Sequence, residues 1–585
     1  MTIHHDVLII GSGLAGLRAS LETVGSASTA VFTKVFPTRA HSCAAQGGIS
    51  AALGNVEEDH WEWHMFDTVK GGDFLTDEDA AEILAQDAPR AVIELEHMGV
   101  PFSRTADGRI SQRNFGGHTR PNPDPALKDD NNKRVAVKRA CHAADRTGHA
   151  VLHTLHDQSM KRKVQFYSEW FVLKLIIEDN TAKGLIAMNM ITGEIETFTA
   201  KAIMLATGGY CRAFKINSNA LTNTGDGCSL VWEAGLPLED MEFVQFHPTG
   251  LRKLGILVSE AARGEGGILY NGKGERFMER YAPSVKDLAP RDMVSRAIMT
   301  EVKEGRGVDG KDYVNLDVTH LGKKFIDEKL PDVTGFARTY LGVDPYTQPI
   351  PVQPTAHYAM GGVPTDLDGR VKSDETGTIV KGLYAAGEVA CVSVHGANRL
   401  GTNSLTDTVV FGRRTGMAMR EFVAQNAVAP IKENPYNQVV ERVETLRRAD
   451  GPESVSQIRL ELQEAMMDRC SVFREEKGMT ALLNEIKIFK GRAAKIGIKD
   501  RSRTFNTDLI DLLELHNVLT FAEVLVASAL ARKESRGGHA RTDFPNRDDI
   551  NWRKHTYAFP KPDGAIELRH APVRGDKFKP VERKY

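Results

Sequence analysis

Two neighbouring stretches near the N-terminus carry the residue types that a nucleotide cofactor needs. Gly11-Ser12-Gly13-Leu14-Ala15-Gly16 follows the apolar run Val7-Leu-Ile-Ile10. Glycines at that spacing permit a tight turn, a close approach of backbone to a pyrophosphate, and tight packing of the next helix. Thr29-Ala-Val-Phe32 reads as a second strand. Beyond it lies Pro37-Thr-Arg-Ala-His41-Ser42-Cys-Ala-Ala-Gln46-Gly47-Gly48. His41 therefore follows the second strand of a nucleotide-binding unit, where an extended FAD reaches. On this segment alone it reads as a solvated loop histidine. The second strand ends in Thr33-Lys34 rather than in the acid that commonly binds ribose hydroxyls. That argues against a generic NAD enzyme and for a specialised FAD-binding family.

Further along, Ala202-Ile-Met-Leu-Ala-Thr-Gly-Gly209 is a buried strand ending in glycines, suited to a strand end that meets a flavin. Asn223-Thr-Gly-Asp226-Gly227 opens a helix. Asp226 either caps that helix or accepts a hydrogen bond from FAD, and the residues leave both readings open. Ala385-Ala-Gly387-Glu388 ends another strand. His395-Gly-Ala-Asn-Arg399-Leu-Gly-Thr-Asn-Ser404-Leu405 leads into a helix whose first N–H groups form a site for an anion or a pyrimidine ring.

The elements that must position these residues imply an α/β fold. A Rossmann-like FAD-binding domain is expected over 1–240 and again over 356–420. A capping α+β domain is inserted at 241–355, a helical domain occupies 421–545, and an extended, wrapping C-terminal tail runs over 546–585. Residues 57–100 read as helical, with Asp77 capping an amphipathic helix that carries Ile83, Leu84, Ala88 and Ala91 at helical spacing. Residues 110–134 read as a long loop in which Phe115-Gly-Gly-His118 is a substrate lid or a turn, and 135–160 as helix. A meander of strands is expected at 169–178, 183–191 and 195–199. Leu509, Leu512, Leu513, Val518, Leu519, Ala522, Leu525 and Ala529 form a helical core stripe.

Composition excludes several classes. The 585 residues carry a formal net charge of −2, which argues against a nucleic-acid role or an anionic-membrane role. No apolar run approaches the ~20 residues of a membrane span. The six cysteines are scattered with no Cys-x-x-Cys, so no metal, iron–sulfur or disulfide framework is expected within the chain. A strand begins almost at once, leaving no room for a leader, which points to a prokaryotic cytoplasmic location.

The motifs together resemble the flavoprotein subunits of the succinate dehydrogenase and quinol:fumarate reductase family. The resemblance spans almost the whole chain. It rests on the GxGxxG, Arg39-Ala-His41-Ser42, Ala45-Gln46-Gly47-Gly48, Gln245-Phe-His247-Pro-Thr-Gly250, Arg263-Gly-Glu-Gly-Gly267, Arg276-Phe-Met-Glu-Arg280-Tyr281, His357-Tyr-Ala-Met-Gly-Gly362 and His395-Gly-Ala-Asn-Arg399-Leu-Gly401. Near the C-terminus, Glu534-Ser-Arg-Gly-Gly-His-Ala-Arg541 and Arg547-Asp-Asp-Ile-Asn-Trp552 also match. Two departures stand out: Ser259 where many members have Thr, and Thr406-Asp-Thr408 where Leu-Asp-Leu is commoner. Ser259 keeps the hydroxyl donor.

The resemblance implies covalent FAD held through His41, with succinate or fumarate bound by His247, Ser259, His357 and Arg399. Oxidation takes a hydride from one methylene towards flavin N5 and a proton from the other. The family's proton acceptor maps to Arg291, with Glu260 and Arg263 as relay candidates; the plainer reading makes Arg291 an electrostatic clamp. Gln46, where some fumarate reductases carry Glu, favours succinate oxidation, because a nearby negative charge lowers the flavin potential. An iron–sulfur subunit and a membrane anchor with a quinone site are the implied partners, on the cytoplasmic face of a bacterial inner membrane. Three other readings stand beside this one. L-aspartate oxidase lacks the flavin-linking histidine and the partner-wrapping tail. A fumarate-reducing enzyme would run the reaction in reverse. A non-catalytic FAD-binding subunit sits poorly with intact Arg291, His247, His357 and Arg399.

Overall fold

The computed structural model describes residues 2–122 and 134–583, so the centre of the expected 110–134 loop lies outside the described residues. The nucleotide-binding unit is built on a ten-stranded sheet. Its middle runs Ile379–Ala385, Ala202–Leu205, Val7–Ile10, Thr29–Thr33 and Gln165–Ser168, all parallel. Val7–Ile10 is apolar and buried throughout, as a parallel strand covered on both faces requires. The pleat sends Leu8 and Ile10 into one hydrophobic core and Val7 and Ile9 into the other. The antiparallel meander Trp170–Glu178, Thr181–Asn189 and Ile195–Thr199 extends the sheet.

Two glycines of the first turn are steric necessities. A Cβ on Gly11, which has φ +115°, would lie 2.1 Å from the Ala206 carbonyl oxygen, and one on Gly16 would lie 2.0 Å from the Gly11 oxygen. Helix Leu14–Thr23 therefore begins hard against the strand ends, with Gly13 at its N-terminus.

The inserted unit is a separate antiparallel sheet in the order Val244–Leu251, Ile350–Ala359, Val314–Asp317, Ile268–Tyr270. Helix Arg291–Lys303 packs on it through Val294, Ala297 and Ile298. The Ser295 hydroxyl of that helix donates to the Phe246 carbonyl at 2.8 Å. Strand Ile350–Ala359 runs straight through the expected boundary at 355, because its ladder to Val244–Leu251 continues to Ala359. The chain therefore returns to the first unit only after 359.

Helices Tyr436–Arg447, Val455–Arg469, Glu476–Ala493 and Thr507–Ala531 follow. Leu512, Val518, Leu519, Ala522, Leu525 and Ala529 join the core beneath the main sheet, while Leu509 and Leu513 enter a second cluster.

Three local expectations are corrected. The helix expected over 135–160 begins at Thr147, because Arg134–Ala136 and Ala140–Cys141 pair as short strands. Asp77 stands at the N-cap position but makes no side-chain cap bond. Its carboxylate instead accepts from the Arg574 backbone N–H at 2.6 Å and lies 3.2 Å from His555 Nε2. The tail is not wholly extended. Lys554–Pro560 and Ile566–Pro572 form an antiparallel hairpin, turned at Gly564, that adds to Leu238–Glu239.

Candidate active site

A cleft of about 510 Å³ is lined by both the main sheet and the inserted unit. Every site residue expected from the sequence lines it except Gly16 and Arg263. Gly16 is spent on helix–strand packing. Arg263 sits behind the wall, buried, its Nη2 3.7 Å from Glu260 Oε2.

At the nucleotide end, Gly11, Ser12, Gly13, Leu14 and Ala15 face Thr33 and Lys34. The Ser12 hydroxyl donates to Thr33 Oγ1 at 3.1 Å, tying the turn to the second strand. Lys34 Nζ lies 2.7 Å from Asp226 Oδ2 and 2.6 Å from Glu514 Oε1. Burial opposes the charge on Lys34, but Asp226 and Glu514 outweigh it and raise its pKa. Asp226 is the first residue of its helix, and the N-cap position before it is Gly225. Asp226 lines the cleft and spends its carboxylate on Lys34, Thr224 and Asn517.

His41, Ser42, Gln46, Gly47, Gly48, Glu388, Ser404 and Leu405 line the same cleft. The Arg113 guanidinium fixes this loop by donating to the Gln46 and Gly47 carbonyls at 3.1 and 2.7 Å. His41 Nδ1 accepts the Ala220 backbone N–H at 3.2 Å. Burial pushes the His41 pKa down to about 4, so the ring is neutral near pH 7. Burial also lifts the Glu388 carboxyl to about 7. These residues fit an FAD. The strand ends are glycine-lined, a helix N-terminus faces the cleft, and Gln46 Oε1 and Thr207 Oγ1 are buried on its wall without partners.

The polar end gathers side chains from distant segments. Arg291 Nε donates to Glu260 Oε2 at 2.7 Å, and Glu260 Oε1 accepts the Gly116 N–H at 2.6 Å. Arg291 Nη1 and Arg399 Nη2 both donate to Gln245 Oε1 at 3.0 Å. Arg399 stacks on the Tyr358 ring, 4.5 Å from its centroid, and its Nε is buried without a partner. The rings of His247 and His357 lie 5.1 Å apart. His247 Nδ1 accepts the Thr249 backbone N–H at 3.2 Å, so the other ring nitrogen carries the proton; that Nε2 is buried with no partner. Ser218 Oγ holds His357 Nδ1 at 2.7 Å. Ser259 Oγ accepts the Ala261 N–H at 3.2 Å, leaving its own hydrogen available.

Electrostatics at this end favour an anion. Burial, reinforced by Arg291, holds His247 and His357 far below the usual histidine range, so both are neutral donors. Burial, again with Arg291 beside it, pulls Arg399 down to about 9. For Glu260 burial favours the neutral form, but Arg291 and Arg263 prevail and lower its pKa. At this end two guanidiniums stand with one ionised carboxylate in direct contact, so the lining carries an excess of positive charge.

Gln245, Tyr358, Gly116 and Ser218 are site residues that sequence reasoning passed over. A signal for Gln245 existed: it stands two residues before His247 on one strand, so both side chains share a face. Gly116 lies in the loop read as a lid or a turn, and its N–H anchors Glu260. Thr406, one of the departures, is also explained: its buried hydroxyl donates to the Ser50 carbonyl at 3.0 Å.

The sequence matches the family described as FAD binding domain over residues 6–405, and that described as fumarate reductase flavoprotein C-term over 459–585. It is 49% identical to the succinate dehydrogenase flavoprotein subunit of Rickettsia conorii, over 98% of this chain and 96% of that one. It is 40% identical to the fumarate reductase flavoprotein subunit of Haemophilus influenzae, over 100% of this chain and 96% of the relative. Among solved structures, a chain of a variant of E. coli quinol fumarate reductase superposes with a TM-score of 0.91 at 38% identity, covering 100% of this chain and 99% of its own.

Proposed function

The chain belongs to the FAD-binding flavoprotein family of succinate dehydrogenases and fumarate reductases, and on that premise we propose that it oxidises succinate to fumarate for a quinone. The observation that carries the reading is the shared contact of Arg291 and Arg399 with Gln245, beside a proton-bearing His247 Nε2 that has no acceptor. A dianion of succinate size satisfies those donors together.

Arg399 takes one carboxylate through a two-point hydrogen bond. The neutral imidazoles of His247 and His357 and the Ser259 hydroxyl orient the carboxylates. Gly11, Ser12, Gly13, Leu14, Ala15, Thr33, Lys34, Gln46, Asp226, Glu388, Ser404 and Leu405 would hold FAD along the cleft, where it would supply the two-electron acceptor. The two hydrogens leave succinate separately, one with its electron pair and one as a proton. Arg291 receives the proton. Its Nε and Nη1 are committed to Glu260 and Gln245, which leaves Nη2 for substrate. Free guanidinium is too weak an acid to surrender a proton readily. Glu260, with Arg263 behind it, provides the outlet that lets proton entry and exit be concerted.

His41 is the residue we assign to a covalent bond with FAD. The Ala220 N–H occupies Nδ1, and the ring is neutral near pH 7. Nε2 is thus the atom left to bond, and the Ala220 contact survives because an Nε2-alkylated neutral imidazole still accepts at Nδ1. Gln46 offers a neutral amide at this loop, which keeps negative charge away from the cofactor and favours the oxidising direction.

An iron–sulfur subunit and a quinone-binding membrane anchor are the expected partners, with the chain peripheral on the cytoplasmic face of a bacterial membrane. Among the described residues no helix is long and apolar enough to cross a membrane. The second reading, fumarate reduction with a quinol, draws on the TM-score of 0.91 to the quinol fumarate reductase chain. Succinate-driven quinone reduction and quinol-driven fumarate reduction, measured on the assembled complex, test the direction. A faster fumarate reaction overturns the first reading.

A further inference from the structure

The last described residues do not end on open surface. Glu78 accepts the Lys577 and Phe578 backbone N–H groups at 2.8 and 2.9 Å, and Arg547 donates to the Val581 carbonyl at 3.0 Å. This lays the tail along the body as far as Arg583. There Nη2 lies 3.0 Å from Asp73 Oδ2 and 2.5 Å from Asp292 Oδ2, with all three side chains at most 8% exposed.

The two carboxylates belong to different units. Asp292 stands in the first turn of helix Arg291–Lys303, next to Arg291 itself. Asp73 belongs to the body, in a turn with φ +56°, a conformation uncommon outside glycine. Four contacts to its carboxylate and carbonyl hold Asp73 there. Gly537 N–H and Arg547 reach its carboxylate at 2.8 Å, Arg536 reaches its carbonyl at 2.8 Å, and Arg583 completes the set. Asp292 has a second cation, Arg296, at 2.9 Å; it stands on the same helix and reaches the body only by donating to the neutral Gly537 carbonyl at 2.7 Å. Among the described residues, Arg583 is the cation that pairs with both acids.

We propose that Arg583 is a positioning residue for Arg291: its guanidinium is the shared counter-ion that clamps the start of the Arg291 helix against Asp73 of the flavin-binding unit. The inference rests on the reading of Arg291 as the proton acceptor. The physics is asymmetric. With Arg583 in place, two buried carboxylates attract a common cation across the unit boundary. Without it, Asp73 keeps Arg547 and Asp292 keeps Arg296, but the cation that links the two acids is gone and their residual repulsion across the boundary loosens the helix start. Arg291 occupies the first position of that helix, and proton transfer needs its nitrogen held to sub-ångström tolerance. A displaced helix also weakens the Glu260 and Gln245 contacts that orient the guanidinium.

The test uses the assembled enzyme, with succinate-driven dye reduction, flavin content and melting temperature measured together. Arg583→Gln is expected to lower kcat 10- to 100-fold with flavin content unchanged. Adding Asp73→Asn to Arg583→Gln removes one of the repelling charges and is expected to restore most of the lost turnover. A merely structural role would not produce that rescue. Arg583→Lys, which keeps the charge on a stem one bond shorter, should fall between. If Arg583→Gln fails to fold, Arg583→Lys decides: reduced kcat supports the inference and wild-type kcat overturns it. Wild-type kcat in Arg583→Gln, a loss confined to melting temperature, or no rescue by Asp73→Asn each overturns it. Arg291→Gln separates the two claims. If Arg291→Gln turns over normally, the reading of Arg291 has failed. If it is inactive while Arg583→Gln is fully active, only the clamp has failed. When both hold, Arg291→Gln/Arg583→Gln is no slower than Arg291→Gln alone.

Discussion

Arg291 and Arg399 donate to the same atom: Gln245 Oε1 accepts Nη1 of the first and Nη2 of the second, each at 3.0 Å. Gln245 in turn donates through Nε2 to the Asn398 side chain and the Arg399 carbonyl at 2.9 and 2.7 Å. A neutral amide therefore holds two buried guanidiniums side by side without cancelling their charge.

That arrangement predicts unequal effects from Gln245→Glu. A carboxylate between the two arginines relieves their repulsion but loses the two bonds that the amide donates to Asn398 and the Arg399 carbonyl, so the melting temperature should change little. The same charge repels a dianion, so malonate and succinate affinity should drop at least tenfold, a loss of about 1.4 kcal/mol. Thermal melting and a malonate titration of flavin absorbance measure both; unchanged malonate affinity would contradict the assigned site.

Arg399→Lys keeps the charge but loses the planar fork. Dicarboxylate affinity should fall about 10- to 100-fold, with malonate and succinate affected alike. Normal binding of both would remove Arg399 from the site.

The pH dependence of binding follows from which groups carry protons. His247 and His357 titrate far below 6.5 and stay neutral from pH 6 to 8. Arg399 keeps its proton below about 9 and loses charge above it. Glu388, lifted to about 7, gains charge between pH 6 and 8, so malonate affinity should weaken modestly there and further as the pH approaches 9. In Glu388→Gln affinity should be flat from pH 6 to 8, and a decline between pH 6 and 7 in that variant would mean that a histidine binds as a cation.

His41→Ser should leave FAD bound but extractable with acid. If His41 is the link, fumarate reduction should persist in part while succinate oxidation is lost, because a covalent bond to the flavin ring would raise the cofactor's potential. Complete acid release of flavin from the unaltered protein would refute the link.

Arg291→Gln should bind FAD and malonate nearly as the parent does and lose turnover by more than the ~10²–10⁴-fold typical of general acid–base catalysis. The loss must appear in both directions, by microscopic reversibility. A variant that loses affinity only, or one direction only, would make Arg291 a clamp.

Much of the site was legible because its signals are local. The glycine turn, the loop at His41, the polar strand at His247 and the helix start at Ser404 are each a run of neighbours. Within such runs, spacing and residue type dictate turn, strand or helix, and the apolar run Val7–Ile10 already implies a strand buried on both faces.

What tertiary structure decided is which distant groups share a charge. The Asp226 carboxylate offered two roles in sequence and has another partner in space: Lys34, which also takes Glu514 from 480 residues away. Asp77 sits where a helix cap belongs, yet its carboxylate turns to His555 and Arg574 of the tail. Arg583 meets Asp73 and Asp292 for the same reason. Local periodicity is set by backbone geometry and repeats every few residues, so it can be read along the chain. A buried ion must instead find a counter-charge wherever the fold brings one, since leaving it unpaired costs several kcal/mol, and only the folded chain determines which one it meets.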